Sequence, residues 1–374
     1  MRTVITGQVG MDKKDYCKRV VDFAGQNGET IIQYHVGDIM YAEAPDVGAG
    51  KILHLPLSRL NSLRRAAFKD MIAESRDQEN ILVNTHATFR WRHGLFSAFD
   101  FDQMQMLAPE VLICLVDNIE VVHHRLHAEH TIDATLKDCM VWREEEILAT
   151  ELLSQAIPGS RFYIMARGRH TDTAQTVFRL ICRNDMRKVY PSFPMSHVVD
   201  MPDVLAEIDA FRAVLADNFI TFDPGDVDEK LLLERAIVAA REGREFVDAE
   251  PHSFGGSKAG DGPIRVRTRE VLDIAGDIDG QIYMRDFKLI DQADMIVSLV
   301  PELPGGIPGL SSGVERELQH AYEHAKEVYV VWKPKKSPSP FITETATKIF
   351  TSVNEALEHF ENAGMFPQKN LFGV

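Results

Sequence analysis

Short apolar runs alternate with helical stretches along the whole chain, and this alternation limits the fold more than any other feature. In the first half the runs fall at residues 3–6, 30–36, 80–84, 111–116 and 162–166. Segments with apolar residues at helical spacing lie between them, among them 60–74 and 144–156. Strands separated by helices are joined by crossovers and so lie parallel. The second half repeats the pattern. Strands are expected near 187–190, broken at Pro191 and again at Pro194, and at 219–222, 295–300 and 328–332. Helices are expected at 202–217, 231–242, 282–293 and 354–362. The expected fold class is α/β, with two doubly wound parallel sheets, the second smaller than the first. A length of 374 residues suits two domains, and we place them at 1–185 and 186–374.

The formal net charge of −15 argues against nucleic acid or an anionic membrane as the main partner. A small anionic substrate held in a local nest remains compatible with it. Cys17, Cys114, Cys139 and Cys182 lie far apart with no CxxC, which fits a reducing compartment and gives no metal framework. No apolar run approaches ~18 residues and no signal-like segment opens the sequence, so the cytoplasm is the expected location.

Residues 3–6 run into Gly7-Gln8-Val9-Gly10-Met11-Asp12-Lys13-Lys14 and then a helix. Strand, glycine turn, lysine and helix is the layout of a phosphate-binding loop, whose N–H groups cradle phosphates. Two positions depart from it. Asp12 stands where a glycine normally precedes the lysine, and Lys14 where a Ser or Thr would hold magnesium. Taken alone, an ordinary strand–turn–helix explains these residues equally well.

Over about residues 1–170 the chain resembles the archaeal type of adenylate kinase and related nucleoside monophosphate kinases. The resemblance rests on TGQVGMDKK at 6–14, HVGDIMYAEA at 35–44, ILVNTHATF at 81–89 with Gly94 and Leu95, and PEVLICLVDNIEVVHHRL at 109–126. It implies ATP or another nucleotide at Gly7, Gly10 and Lys13. Asn84 stands where that family carries aspartate. With Lys14 it removes two groups expected to hold the metal that phosphoryl transfer requires. Of the family's arginine-rich lid, Arg143 is nearly alone. The expectation is a degenerate domain that binds nucleotide and transfers nothing. His123, His124, His127 and His130 invite a metal reading, and His123 and His127 share a helix face. No acidic or cysteine arrangement completes a site, so a solvated face is expected and no metal is assigned. Glu144-Glu145-Glu146 is read as a solvated helix start.

In the second half, ELPGGIPGL at 302–310 leads into SSGVERELQHA at 311–321. Val314, Leu318, Ala321 and Tyr322 recur at helical spacing, and Ser312 with Glu315 reads as a capping box. Glu317 lies in the second turn, and helical side chains lean toward the N-terminus. Its carboxylate should then lie beside Ser311, Gly313 and the free N–H groups of the first turn, a place that attracts phosphate. A carboxylate beside a phosphate cradle points to chemistry on a sugar phosphate.

YPSFP at 190–194, Asp286, Ala293-Asp294 and Ser311-x-Gly313-x-x-x-Glu317-x-x-x-Ala321 together resemble the nucleoside 2-deoxyribosyltransferase superfamily, over about 188–360. The resemblance implies that Glu317 is the nucleophile at the anomeric carbon and that Asp286 assists the leaving base. It implies that Tyr190 and Pro194, with Ser311 and Gly313, bind the substrate. Members that take free nucleosides carry Asp at the position of Ser311. The branch that hydrolyses nucleoside 5′-monophosphates carries Ser, reading S-x-G-V-x-x-E-L, as SSGVEREL does. That branch has an early arginine that PSFPMSHV lacks, which leaves Arg285 or Lys258 to compensate. The resemblance also implies a homodimer and no cofactor for this half. Asp294 is read as a strand-entry residue, and residues 248–263 as a loop, either a lid or a variable insertion.

The chemistry is coherent without the family. Cleaving an N-glycosidic bond builds positive charge on the sugar and negative charge on the base, and two carboxyl groups meet both needs. The expected function is N-glycosidic hydrolysis of a nucleoside 5′-monophosphate. The alternatives are base exchange, cleavage of a larger nucleotide, a bifunctional salvage enzyme, and a nucleotide-sensing module without turnover.

Overall fold

The computed structural model describes residues 1–48, 50–91, 94–130, 132–249 and 263–366. The chain divides into two units. Met1–Gly168, Asp172–Cys182 and Arg244–Ile274 form the first; Arg169–Thr171, Arg183–Gly243 and Ala275–Val374 form the second. Sequence alone puts residues 244–274 in the second half, but they group with the first. Their antiparallel hairpin, Phe246–Ala249 with Ile264–Arg267, packs on the helix Ile119–His130.

The sheet of the first unit holds β1 (Arg2–Thr6), β2 (Ile32–His35), β3 (Ile81–Asn84), β4 (Val111–Val116) and β5 (Arg161–Ala166). All pairs are parallel, in the order β2-β3-β1-β4-β5. Burial on both faces explains the near-continuous apolar runs; every residue of β4 is buried. The longer helices are α1 (Lys13–Gln26), α2 (Leu57–Glu74), α3 (Ile119–His130), α4 (Leu136–Gln155) and α5 (Thr173–Cys182). Val4, Val83 and Leu112 of the sheet form one core with Phe68 and Met71 of α2 and Leu153 of α4. A second hairpin, Thr88–Trp91 with Gly94–Ser97, follows β3. α4 starts earlier than expected. Thr135 and Asp138 cap it reciprocally, so the glutamates at 144–146 lie mid-helix and Glu146 is buried rather than solvated.

The sheet of the second unit holds β6 (Lys188–Ser192), β7 (Ile220–Thr221), β8 (Met295–Val300), β9 (Glu327–Trp332) and β10 (Lys348–Phe350). It is also parallel, in the order β10-β9-β8-β6-β7. With five strands it equals the first sheet rather than being smaller. Three-residue β10 is too short to stand out as an apolar run. Pro191 does not break β6 but pairs in register with Val297. Its ring nitrogen faces the β7 side, where β7 has already ended at Thr221, so no ladder donor is lost. The longer helices are α6 (Pro202–Asn218), α7 (Lys230–Arg241), α8 (Ala275–Asp291), α9 (Ser312–Glu323) and α10 (Val353–Asn362). Phe211, Phe219, Tyr329, Phe350 and Phe360 centre the core, with Phe219 and Phe360 edge to face at 5.6 Å. Among the described residues no helix is long and apolar enough to cross a membrane.

Candidate functional sites

In the first unit, the loop from Gly7 to Lys13 joins β1 to α1. Gly7 (φ 145°) and Gly10 (φ 86°) both need glycine: a Cβ on Gly7 would lie 2.8 Å from Leu115 O, and one on Gly10 3.2 Å from Leu126. Asp12 also has a left-handed backbone (φ 48°, ψ 48°), which explains why glycine is usual there. The buried Arg167 holds it. Its Nη1 donates to Met11 O (2.5 Å) and Asp12 O (2.8 Å), and its Nη2 reaches Asp12 Oδ2 (3.2 Å) and Asp15 Oδ2 (3.3 Å). Lys13 Nζ donates to Gly7 O at 2.6 Å and lies 3.2 Å from His86 Nδ1. Burial lowers its pKa to about 8.

Glu146 fixes the other side of the loop. Oε1 accepts from Gly7 N–H (3.0 Å) and Ala87 N–H (2.7 Å); Oε2 accepts from Thr88 N–H (2.9 Å) and its hydroxyl (2.6 Å). One buried carboxylate therefore stitches the phosphate loop to the segment that follows β3. A cavity of about 400 Å³ opens beside the loop, lined by Lys13, Arg64, Asn84, His86 and Phe89 among others. Arg64 carries no motif signal in the sequence. It is buried, and its Nη2 has no acceptor among the described residues.

Lys14 pairs with exposed Asp38, and Asn84 Nδ2 lies 3.0 Å from His35 Nδ1. The two positions that would hold magnesium thus offer an ammonium and a carboxamide, and these residues do not fit that ion. Arg143 belongs to no lid: it is buried in α4 and donates to Asp117 O at 3.0 Å. His123 and His127 do meet, with Nε2 atoms 3.1 Å apart, and His127 Nε2 lies 3.1 Å from Ala134 O.

In the second unit, β6 and α9 build a second site. Tyr190 and Ser192 project from the same face of β6 because strand side chains alternate. Tyr190 Oη donates to Glu317 Oε1 (3.1 Å) and Ser192 Oγ to Glu317 Oε2 (2.6 Å), all three residues buried. Ser192 is inconspicuous in the sequence beyond its two-residue spacing from Tyr190. Ser298 stands opposite Ser192 in the sheet, and its buried hydroxyl has no partner among the described residues.

Burial raises the pKa of Glu317, while the hydroxyls of Ser192 and Tyr190 pull it down by stabilising the anion. Asp286 of α8 keeps a partial path to solvent but is crowded by protein. Desolvation, followed by the charge of Glu317, drives its pKa well above the ordinary value; Arg285 opposes this. No hydrogen-bond donor to its carboxyl is present among the described residues. The two hydroxyls favour the anion at Glu317, and Asp286 lacks such support. Tyr190 is pushed far above its ordinary pKa by burial and by Glu317, so it remains a donor.

A carboxyl raised on folding contributes stability below its unfolded pKa, and that stability is lost as pH rises through the folded value. We therefore expect Asp286→Asn to raise the Tm of the second unit at pH 8, by about 2–4 °C for each kcal/mol relieved. At pH 4 little change is expected. Calorimetry across that range checks it; equal losses at both pH values would contradict it.

Ser311, not Ser312, caps α9: its Oγ accepts from Val314 N–H at 3.1 Å. The third helical residue is Val314, so Glu315 completes no capping box and is exposed. The Ser311 hydroxyl hydrogen stays available, and the N–H groups of Ser312 and Gly313 precede any intrahelical acceptor. A Cβ on Gly313 would meet only Ser311 Oγ, at 3.5 Å, so its absence leaves the approach open rather than relieving the backbone. Pro194 is buried just past β6. Arg285 is buried, donates to Val227 O and lies 3.7 Å from Glu229, and its Nε and Nη1 have no partner among the described residues. Lys258 and most of the loop at 248–263 lie outside the described residues. Asp294 accepts from Lys188 N–H at 2.8 Å and pins the start of β6.

A family model described as an AAA domain matches residues 6–141. No curated protein matches the chain significantly. Among solved structures, a shikimate kinase from Bacteroides thetaiotaomicron is similar at 16% identity, over 44% of this chain and 86% of that one, with a TM-score of 0.29. A gluconokinase from Sinorhizobium meliloti 1021 is similar at 15% identity, over 44% and 81%, with a TM-score of 0.27. The AAA-domain match spans the glycine loop, α1 and the parallel strands around them. Over those residues the first unit, with its parallel sheet, is similar to an AAA domain.

Proposed function

We propose that the second unit hydrolyses the N-glycosidic bond of a nucleoside 5′-monophosphate, and that the first unit binds a nucleotide without magnesium-dependent phosphoryl transfer. The observation that carries the first part is the buried Glu317 carboxylate, held by the Tyr190 and Ser192 hydroxyls, with the Asp286 carboxyl near enough for the charge of Glu317 to raise its pKa. In this reading Glu317 attacks the anomeric carbon as the base departs. Asp286 gives its proton to the departing base; water then attacks the anomeric carbon, gives its proton to Asp286, and releases the sugar phosphate with Glu317 again a carboxylate. Tyr190 and Ser192 orient the nucleophile. Lys13, Arg64 and the loop N–H groups support nucleotide binding in the first unit. A homodimer, by resemblance to the deoxyribosyltransferase superfamily, and a cytoplasmic location, from the scattered cysteines, belong to the same reading.

Ser311 would select the 5′-phosphate. Its free hydroxyl hydrogen and the adjacent N–H groups suit a dianion. Aspartate caps helices as well as serine does, so Ser311→Asp should leave α9 intact while adding a negative charge. Two charges ~4 Å apart interact by roughly 4 kcal/mol at an effective dielectric near 20. Even half of that changes kcat/KM by more than about tenfold. Base release from a matched nucleoside and its 5′-monophosphate, in both proteins, is the test. Selective loss on the monophosphate is expected; equal loss on both would reduce Ser311 to a helix cap.

A further inference from the structure

Asp291, His320 and His324 gather where α8 and α9 end. Asp291 is the last residue of α8, and His324 is the C-cap of α9. One donor atom from each lies within 4.8 Å of the other two. His320 Nε2 is 2.7 Å from Asp291 Oδ1. His324 Nδ1 donates to His320 O at 2.8 Å, which places its proton on Nδ1 and leaves the Nε2 lone pair outward. A backbone carbonyl on the far ring nitrogen is the arrangement that orients metal-binding histidines. Phe287 stacks on the His320 ring at 4.4 Å and 21°, fixing its plane. Four-residue spacing puts both imidazoles on one helix face, and the partial negative charge at two helix ends favours a cation. Lys326 already satisfies the carbonyls of Asp291 and Ala293 (2.7 and 2.6 Å), but it leaves the Asp291 carboxylate to His320.

We propose that Asp291, His320 and His324 bind one zinc-class divalent transition ion, which ties the C-terminal ends of α8 and α9 together. Two imidazole nitrogens and one carboxylate oxygen suit zinc, cobalt or nickel and do not suit magnesium or calcium. Three protein ligands leave a position for water. A tetrahedral ion at ~2.0–2.1 Å from each donor needs donors roughly 3.3 Å apart, so the carboxylate must open slightly from His320 and His324 must close. The partial exposure of Asp291 and His324 allows both moves. The same two helices carry Asp286 and Glu317, each within about a turn and a half of the cluster.

The test uses the full chain, stripped with EDTA and titrated with zinc, then cobalt. Wild type, His324→Ala and, as a control for the other paired histidines, His127→Ala are compared. Wild type and His127→Ala should each bind one tight equivalent. Zinc at about 100 times Kd should raise the Tm of the second unit by about 5–10 °C. His324→Ala should lose both effects, and Asp291→Asn should weaken them. Cobalt should give visible bands of low coordination number that vanish in His324→Ala. No saturable binding by wild type, binding retained in His324→Ala, or binding lost in His127→Ala instead would each overturn the proposal.

Discussion

Glu317→Gln should lower base release from a nucleoside 5′-monophosphate by roughly four orders of magnitude or more, the scale lost when a nucleophile is removed from an otherwise intact site. The substitution keeps size and shape, and removes a buried charge. Its carboxamide oxygen can still accept from one of the two hydroxyls that hold Glu317, and the other hydroxyl can turn to accept from the amide. Folding should therefore survive, and Tm should stay level or rise, because a charge raised in pKa by burial has been removed. Glu315→Gln is the matched control. Glu315 is exposed and caps nothing, so its change should stay within about 0.5 kcal/mol in stability and leave turnover untouched. Steady-state kinetics and thermal melts on the pair measure both. Silencing by Glu315→Gln alone would show that the helix register has been misassigned to the chemistry.

Glu146→Ala should destabilise the first unit by about 3–5 kcal/mol, the range expected when a buried charged partner is removed. Its carboxylate accepts four hydrogen bonds, from Gly7, Ala87 and twice from Thr88, and truncation leaves all four donors without that acceptor. The loss should also loosen the Gly7 end of the loop and weaken nucleotide binding. Glu145→Ala, one residue away, breaks only a partly exposed pair with Arg90 and should cost under about 1 kcal/mol. Urea titration of both variants decides the matter. A loss below about 1 kcal/mol in Glu146→Ala would mean that the loop does not depend on this carboxylate.

Glu146 also shows where sequence stops being legible. Three consecutive glutamates look solvated, and nothing local tells which one turns inward. The buried one is selected by the geometry of a helix that begins at Leu136, under a Thr135–Asp138 cap. The central strands of both sheets were legible because parallel strands buried on both faces must be apolar throughout, as Val111–Val116 and Met295–Val300 are, whereas the short edge strand β10 was not. Pro191 misleads for a related reason: proline forbids a ladder bond only where a neighbour is present to receive one, and β7 stops short of it. Glycine positions read well, since Gly7 and Gly10 have backbones and neighbours that exclude a side chain.

Of the candidate sites, spacing made the residues on one element legible; of the partners across elements, the resemblance named Tyr190 and Asp286 but nothing pointed to Ser192. The Gly313-to-Glu317 spacing lies within one helix, whereas Ser192 joins Glu317 from 125 residues away. Asp291 and His320 meet across 29 residues, so the histidine pair of α9 gains its third ligand only through packing. The cap shifted by one residue, from Ser312 to Ser311, because two adjacent serines satisfy the same local rule.

The most direct measurement is of the products. Purified wild-type protein is incubated with a panel of nucleoside 5′-monophosphates, with no acceptor base and no magnesium, and the mixture is resolved by chromatography. At least one monophosphate should yield free base and sugar phosphate in equal amounts, at a rate that vanishes in Glu317→Gln. Release unchanged in Glu317→Gln, or no base from any monophosphate, would contradict the account.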